Sequence, residues 1–285
     1  MFVKVNGVRL YVDVEGLALV PDGPRMRQKP TLILLHGGPG ADHSLYKPAF
    51  STLSDIAQIV YYDHRGCGRS EDGPRENWTL AQWGDDVKGL CDALGIEKPI
   101  VLGTSFGGFV AQSYATRHPD HPGKLILIST AAKVDFPAIY EAFERLGGPE
   151  AGRIAEAYWS NPSPETRAPY LERCAPLYRT KRRGPPDWVQ RAILRNETGQ
   201  WFNGPANEHG RMDFREALGC IGCPVLVMAG ESDPITPIAF NEEIMQHCPA
   251  GLARFERFAD CGHGIVEDEP ERYDRAIRDF ILAGA

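Results

Sequence analysis

The chain has 285 residues, 42% hydrophobic and 24% charged, which is enough apolar material to bury a large core and rules out a disordered or fibrous chain. Its 31 Lys and Arg against 38 Asp and Glu give a net charge of −7, so no general nucleic-acid partner is expected, because that would need a basic face. The longest apolar runs, Thr31–Leu35 and Leu125–Ile128, fall far short of the ~20 residues that cross a bilayer, and the first residues carry no apolar signal region. Seven cysteines without scaffold-like spacing fit a reducing interior, so a cytoplasmic protein with no membrane partner is expected.

Residues 2–14 alternate around Asn6-Gly7, which predicts a β-hairpin. Short apolar runs bounded by glycines then recur at Thr31–Leu35, Ile59–Tyr62, Ile100–Leu102, Leu125–Ile128 and Val225–Met228. Each is too short for a helix and reads as a strand buried on both faces. Between them lies helical spacing. Leu80, Trp83, Val87, Leu90 and Leu94 make one stripe, with Thr79 and Gln82 as a capping box and Gly95 as the stop. Val110, Ala111, Tyr114 and Ala115 make a second, and Tyr273, Ala276, Ile277, Phe280 and Ile281 another near the end. Strands alternating with helices predict an α/β fold with a mostly parallel central sheet and helices on both faces.

Residues 132–215 break the rhythm, with helical stripes and no strand signal. Phe136, Ile139, Phe143 and Leu146 form one stripe, Ile154, Ala155, Tyr158 and Trp159 the next, and Ala168, Leu171, Ala175 and Tyr178 a third. The segment reads as an inserted helical cap, leaving 1–131 and 216–285 as the core. It holds 11 of the 27 aromatics, as suits the roof of an apolar pocket, although such rings can equally pack the cap's own interior. Trp159 and Trp188 are candidate substrate contacts on that roof.

The strongest chemical signal is Gly103-Thr104-Ser105-Phe106-Gly107, placed directly between a predicted strand and a predicted helix. A strand that turns sharply into a helix strains its central residue and needs small neighbours, here Gly103, Gly107 and Gly108. That geometry exposes the Ser105 hydroxyl. A serine is a poor nucleophile near neutral pH and needs a base oriented by an acid. His263, in the glycine-flanked loop Asp260-Cys-Gly-His-Gly264, is the best base, and Asp233, just beyond the strand Val225–Met228, the best acid. Glu231 is the competing acid. All three candidates fall on loops at strand ends, where open α/β sheets build their sites.

His36-Gly37-Gly38-Pro39-Gly40 follows another strand, and its glycines let bare backbone approach a ligand. The amides of Gly38 and Phe106 are expected to hold a developing oxyanion, with His36 and Gly37 as possible substrate contacts. His36 and His64 in these turns also read as residues that hold backbone. Asp63-His64-Arg65-Gly66-Cys67-Gly68-Arg69-Ser70 reads as a structural turn with Asp63 and Arg65 as a charged pair. Cys220 and Cys223 form a C-x-x-C without a second pair at metal spacing. No phosphate loop or dinucleotide fingerprint occurs, so no cofactor and no metal are expected.

Together these motifs resemble the α/β-hydrolase superfamily, and within it the proline iminopeptidase-like branch. The resemblance rests on His36-Gly-Gly-Pro-Gly40, Asp63-His-Arg-Gly-Cys-Gly-Arg-Ser70, Gly103-Thr-Ser-Phe-Gly-Gly108, Gly230-Glu-Ser-Asp233 and Gly262-His263. The order Ser105, Asp233, His263 is the family's nucleophile, acid, base order. The resemblance implies a serine hydrolase acting on a small ester, amide or short peptide. Two departures bear on a peptidase role. Phe106 stands where such peptidases carry Trp or Tyr, and the cap, with 13 basic and 11 acidic residues, is an odd lure for a substrate ammonium. Glu141, Glu144 and Glu197 are the cap carboxylates that could still bind one. A small ester or amide is therefore expected ahead of an N-terminal prolyl peptide. A lactonase, a C–C bond hydrolase or a receptor-like binder on the same fold is the further alternative.

Overall fold

A computed structural model describes residues 1–181 and 186–283, with the backbone but not the ring of Trp188. The run Arg179-Thr-Lys-Arg-Arg183 and the ring of Trp188 therefore lie partly outside the described residues. Asn6 and Gly7, both with positive φ, turn β1 (Phe2–Val5) onto β2 (Val8–Glu15). A second hairpin, β3 (Leu19–Asp22) and β4 (Arg25–Gln28), forms its own small sheet and is largely exposed. It has no buried face, so no alternating pattern marks it in the sequence.

The remaining elements follow the expected alternation. They are β5 (Thr31–Leu35), β6 (Gln58–Tyr62), α1 (Leu80–Leu94), β7 (Ile100–Thr104), α2 (Phe106–Arg117) and β8 (Lys124–Ile128). Next come α3 (Phe136–Gly147), α4 (Pro149–Ser160), α5 (Pro164–Arg173), α6 (Trp188–Arg191), α7 (Asn196–Asn203) and α8 (Glu208–Arg211). The chain returns to the sheet with β9 (Val225–Gly230), α9 (Ile238–His247), β10 (Ala253–Phe258), α10 (Ile265–Asp268) and α11 (Pro270–Leu282). The eight-stranded sheet runs β1-β2-β6-β5-β7-β8-β9-β10, antiparallel through β6 and parallel thereafter. Because side chains alternate across a strand, Ile33, Leu35, Val101 and Leu125 meet α1 and α2 on one face. Leu32, Leu34, Leu102 and Ile126 meet α11 on the other. No helix among the described residues is long and apolar enough to cross a membrane.

Two helical details differ from the sequence reading. Thr79 caps α1 by accepting the Gln82 N–H at 3.2 Å, but the Gln82 amide turns to Asp86 at 3.0 Å, so the capping box is only half made. In the third stripe, Pro169 lies inside α5 and the chain changes to a 3₁₀ turn at Ala175–Tyr178, so Tyr170 is buried and Leu171 faces out.

The charged turn after β6 is also wired differently. Arg65 pairs with Asp86 on α1, not with Asp63, through Nε at 2.9 Å and Nη2 at 2.8 Å, and both side chains are almost wholly buried. Asn6 and Gln82 donate to the same carboxylate, so the pair is satisfied on every side. Asp63 instead accepts the ring and amide N–H of His43, at 2.6 and 2.9 Å, and the amide of Arg69 at 2.8 Å. Breaking a buried pair strands a charge in low dielectric. Arg65→Met is expected to lower unfolding free energy by about 3–5 kcal/mol, measured as a shift of the urea midpoint; a loss below ~1 kcal/mol would show the pair to be incidental.

Candidate active site

The bend between β7 and α2 is a backbone-to-backbone crossing. A Cβ on Gly103 would lie 2.1 Å from the Gly107 carbonyl oxygen, one on Gly107 1.8 Å from that of Leu35, and one on Gly108 2.4 Å from Thr130 Oγ1. Only hydrogens fit there. The bend forces Ser105 to φ 55° and ψ −120°, a conformation that costs an L-residue roughly 1–3 kcal/mol. The Ser105 hydroxyl makes no capping bond to its helix and lines a cavity of about 850 Å³.

His263 and Asp233 stand on loops at the ends of β10 and β9. Asp233 is fully buried and accepts His263 Nδ1–H at 2.8 Å, the amides of Ile235 and Thr236 at 2.8 and 2.9 Å, and Thr236 Oγ1 at 2.7 Å. Burial pushes its carboxyl up, but the His263 charge and the bonds from His263 and Thr236 outweigh it and hold the pKa below the ordinary value. With Nδ1 engaged by Asp233, Nε2 is the ring nitrogen without a hydrogen-bond partner among the described residues, and the ring lines the same cavity as Ser105. No hydrogen bond joins Ser105 Oγ to His263 among the described residues, and such bonds commonly tighten only with substrate bound. Glu231, the alternative acid, is exposed.

Gly37 lies against the bend, its would-be Cβ 3.6 Å from Ser105 Cβ. The amides of Gly38 and Phe106 donate no hydrogen bond among the described residues; Gly38 lines the cavity, whereas Phe106 is fully buried and does not. Gly37, Gly38 and Trp159 line the cavity; His36 does not. The His36 ring is fully buried, donates from Nδ1 to the Gly37 carbonyl at 2.9 Å and accepts the His64 N–H at Nε2 at 3.0 Å. Burial lowers the pKa of both rings, which therefore stay neutral braces of the loop. His36 is thus corrected from a substrate contact to a support.

Several supporting residues carry no sequence signal. Ser129 Oγ donates to the His263 carbonyl at 3.0 Å, and the Tyr178 ring stands edge-on to the imidazole with centroids 5.6 Å apart. Asp268, buried at the end of α10, accepts the amides of Gly262, Thr180 and Lys181 at 2.9, 3.1 and 3.0 Å. That single carboxylate ties the segment after α5 to the histidine loop. A second buried imidazole, His209 on α8, lines the cavity among Phe109, Phe136, Trp159 and Phe202, and burial pushes its pKa down to about 4. Its only mark in the sequence is its residue type.

Comparison with known proteins agrees with this architecture. A family model described as the alpha/beta hydrolase fold matches residues 30–270. The chain is 28% identical to a proline iminopeptidase of Lactobacillus delbrueckii subsp. lactis, over 88% of this chain and 90% of that one. It is 27% identical to a 3-oxoadipate enol-lactonase of Acinetobacter baylyi, over 99% and 96%. Among solved structures, a proline iminopeptidase of Mycobacterium smegmatis superposes with a TM-score of 0.74 at 23% identity, covering 99% of this chain and 97% of that one.

The depressed Asp233 value fixes the sign of one pH effect. Ionised Asp233 stabilises the fold fully above the unfolded carboxyl value of about 4, and this is lost as pH falls through the lower folded value. The stability advantage of wild type over Asp233→Asn, from urea unfolding at stepped pH, should be level near neutrality and shrink below pH ~4. An advantage that grows on acidification would contradict the assignment.

Proposed function

Because the chain belongs to the α/β-hydrolase family and is a hydrolase, we propose that it works through an acyl-enzyme on Ser105, with His263 as base and Asp233 as its orienting acid. The observation that carries this reading is the Asp233–His263 hydrogen bond of 2.8 Å, whose imidazole opens on the cavity that the strained Ser105 also lines. Ser105 Oγ attacks the acyl carbon while His263 Nε2 takes its proton and passes it to the leaving group. Asp233 stabilises the imidazolium that forms. The Gly38 and Phe106 amides, otherwise unpartnered, receive the oxyanion. Water then releases the acyl group by the reverse proton path. In this reading residues 132–215 are a cap over the site, whose apolar wall of Trp159, Phe202 and Phe109 receives the acyl part.

A small ester or amide is favoured over an N-terminal prolyl peptide. Glu141, Glu144 and Glu197, the residues expected to hold a substrate ammonium, are all exposed and away from the cavity, which leaves Glu267 as the acidic side chain on its wall among the described residues. The likeness to an enol-lactonase adds cyclic esters to the substrates worth testing.

Ser105→Ala is expected to retain its fold by circular dichroism and lose at least ~10³-fold in kcat on short p-nitrophenyl esters. A fluorophosphonate should label wild type at Ser105 and leave the variant unlabelled. Retained turnover would remove the nucleophile assignment, and strong prolyl-anilide cleavage with negligible ester cleavage would reverse the substrate order.

A further inference from the structure

We propose, resting on the serine-hydrolase reading, that the preferred substrates carry a carboxylate away from the scissile carbonyl, bound by Arg167 and Arg179. Both arginines line the cavity, Arg167 from α5 and Arg179 from the segment tied to the histidine loop. Both are half-buried, and neither forms an ion pair or hydrogen bond with a carboxylate among the described residues.

Other arginines of the same helical segment behave differently. Arg173, Arg195, Arg211 and Arg215 pair with Glu150, Asp72, Glu208 and Asp213. Arg145 and Arg153 are exposed, where water solvates the charge. Arg167 and Arg179 thus combine partial burial with no ion pair among the described residues. A guanidinium taken partly out of water without an anion is unfavourable, and a bound carboxylate relieves that with paired hydrogen bonds in a fixed fork.

The positions suit this use. The aliphatic stem of Arg179 packs on Gly264, next to His263, with its Cγ 2.9 Å from where a Cβ on Gly264 would stand; Glu267 Oε2 comes within 2.7 Å of the same point, so the stem runs beside that carboxylate. Arg167 lies against the Tyr158 phenol on the same wall; burial raises that phenol's pKa and the arginine charge pulls it partly back. The wall carries one acidic side chain among its described residues, Glu267, against the guanidiniums of Arg167 and Arg179 and that of Arg195, which is already paired with Asp72. The remaining imidazole, His209, donates Nδ1–H to Asn203 at 2.9 Å and is neutral, so it neither adds to nor cancels that charge. The cavity is apolar on its aromatic side and cationic at two fixed points, which fits an amphipathic acid ester better than a neutral or cationic one.

The test compares mono-p-nitrophenyl glutarate with p-nitrophenyl butyrate, alike except for a terminal carboxylate. Wild type should give a higher kcat/KM for the anionic ester, with the ratio falling as NaCl is raised. In R167Q/R179Q the anionic-to-neutral ratio should drop at least about tenfold, mainly through KM, and R167K/R179K should keep part of it. A wild-type ratio below one, or a ratio changed less than about twofold in R167Q/R179Q, overturns the proposal while leaving the hydrolase reading intact. Each single variant replaces the double one if that fails to fold. If neither ester is turned over and a fluorophosphonate leaves Ser105 unlabelled, the hydrolase reading fails instead. Calorimetry with glutarate then decides the pocket: binding lost in R167Q/R179Q supports it, and no binding to wild type overturns it.

Discussion

The steric crossing between β7 and α2 is the constraint on which the rest of the site depends. Gly103 lets β7 meet α2 backbone to backbone, Gly107 does the same against the end of β5, and Gly108 makes room for the Thr130 side chain. The contact fixes the angle of the bend, and the bend lifts Ser105 into an unfavourable backbone conformation with its hydroxyl in the cavity. The same turn leaves the Phe106 amide at the mouth of α2 without a partner, and packs the bend against Gly37 on the neighbouring loop. Ser105 and the glycine loop beside it are thus one packed unit, paid for by the surrounding core.

Around that unit the loops at the strand ends are held by buried polar groups as well as by apolar contacts such as those of Ile235 and Ile265. His64 locks the glycine loop by donating twice to His36, from its amide to the ring and from its ring to the carbonyl, and the His64 ring meets Phe106 edge-on at 5.4 Å. Asp63 gathers the turn after β6 through His43 and Arg69. Asp233 is held by four donors before it orients the imidazole. Each group is satisfied, so burial raises the cost of any alternative arrangement and the loops keep a single geometry.

What was legible in the sequence was whatever is encoded locally. The central strands could be read because a strand buried on both faces needs an unbroken apolar run, and β5 matches its run residue for residue. Ser105 stood out because its bend requires glycines at fixed offsets. Asp233 and His263 stood out because titratable residues in glycine-rich loops just past strands have few structural duties. Partnerships across the chain were not legible. Arg65 is nearer Asp63 in sequence yet meets Asp86, because α1 packs over the turn. Nothing near Asp268 announces Thr180, which reaches it from 88 residues away. The β3–β4 hairpin stayed hidden because both its faces are exposed. Tyr170 and Leu171 exchanged roles because an internal proline and a 3₁₀ turn shift the helical phase.

The carboxylate of Asp268 grips two separate stretches of chain, holding Gly262 of the loop that carries His263 and Thr180 with Lys181 just after the 3₁₀ turn. Drawing the second stretch away would break those bonds together and pull on the loop that carries the imidazole. One buried carboxylate thereby couples two distant stretches of the chain mechanically, so that neither can shift without straining the other.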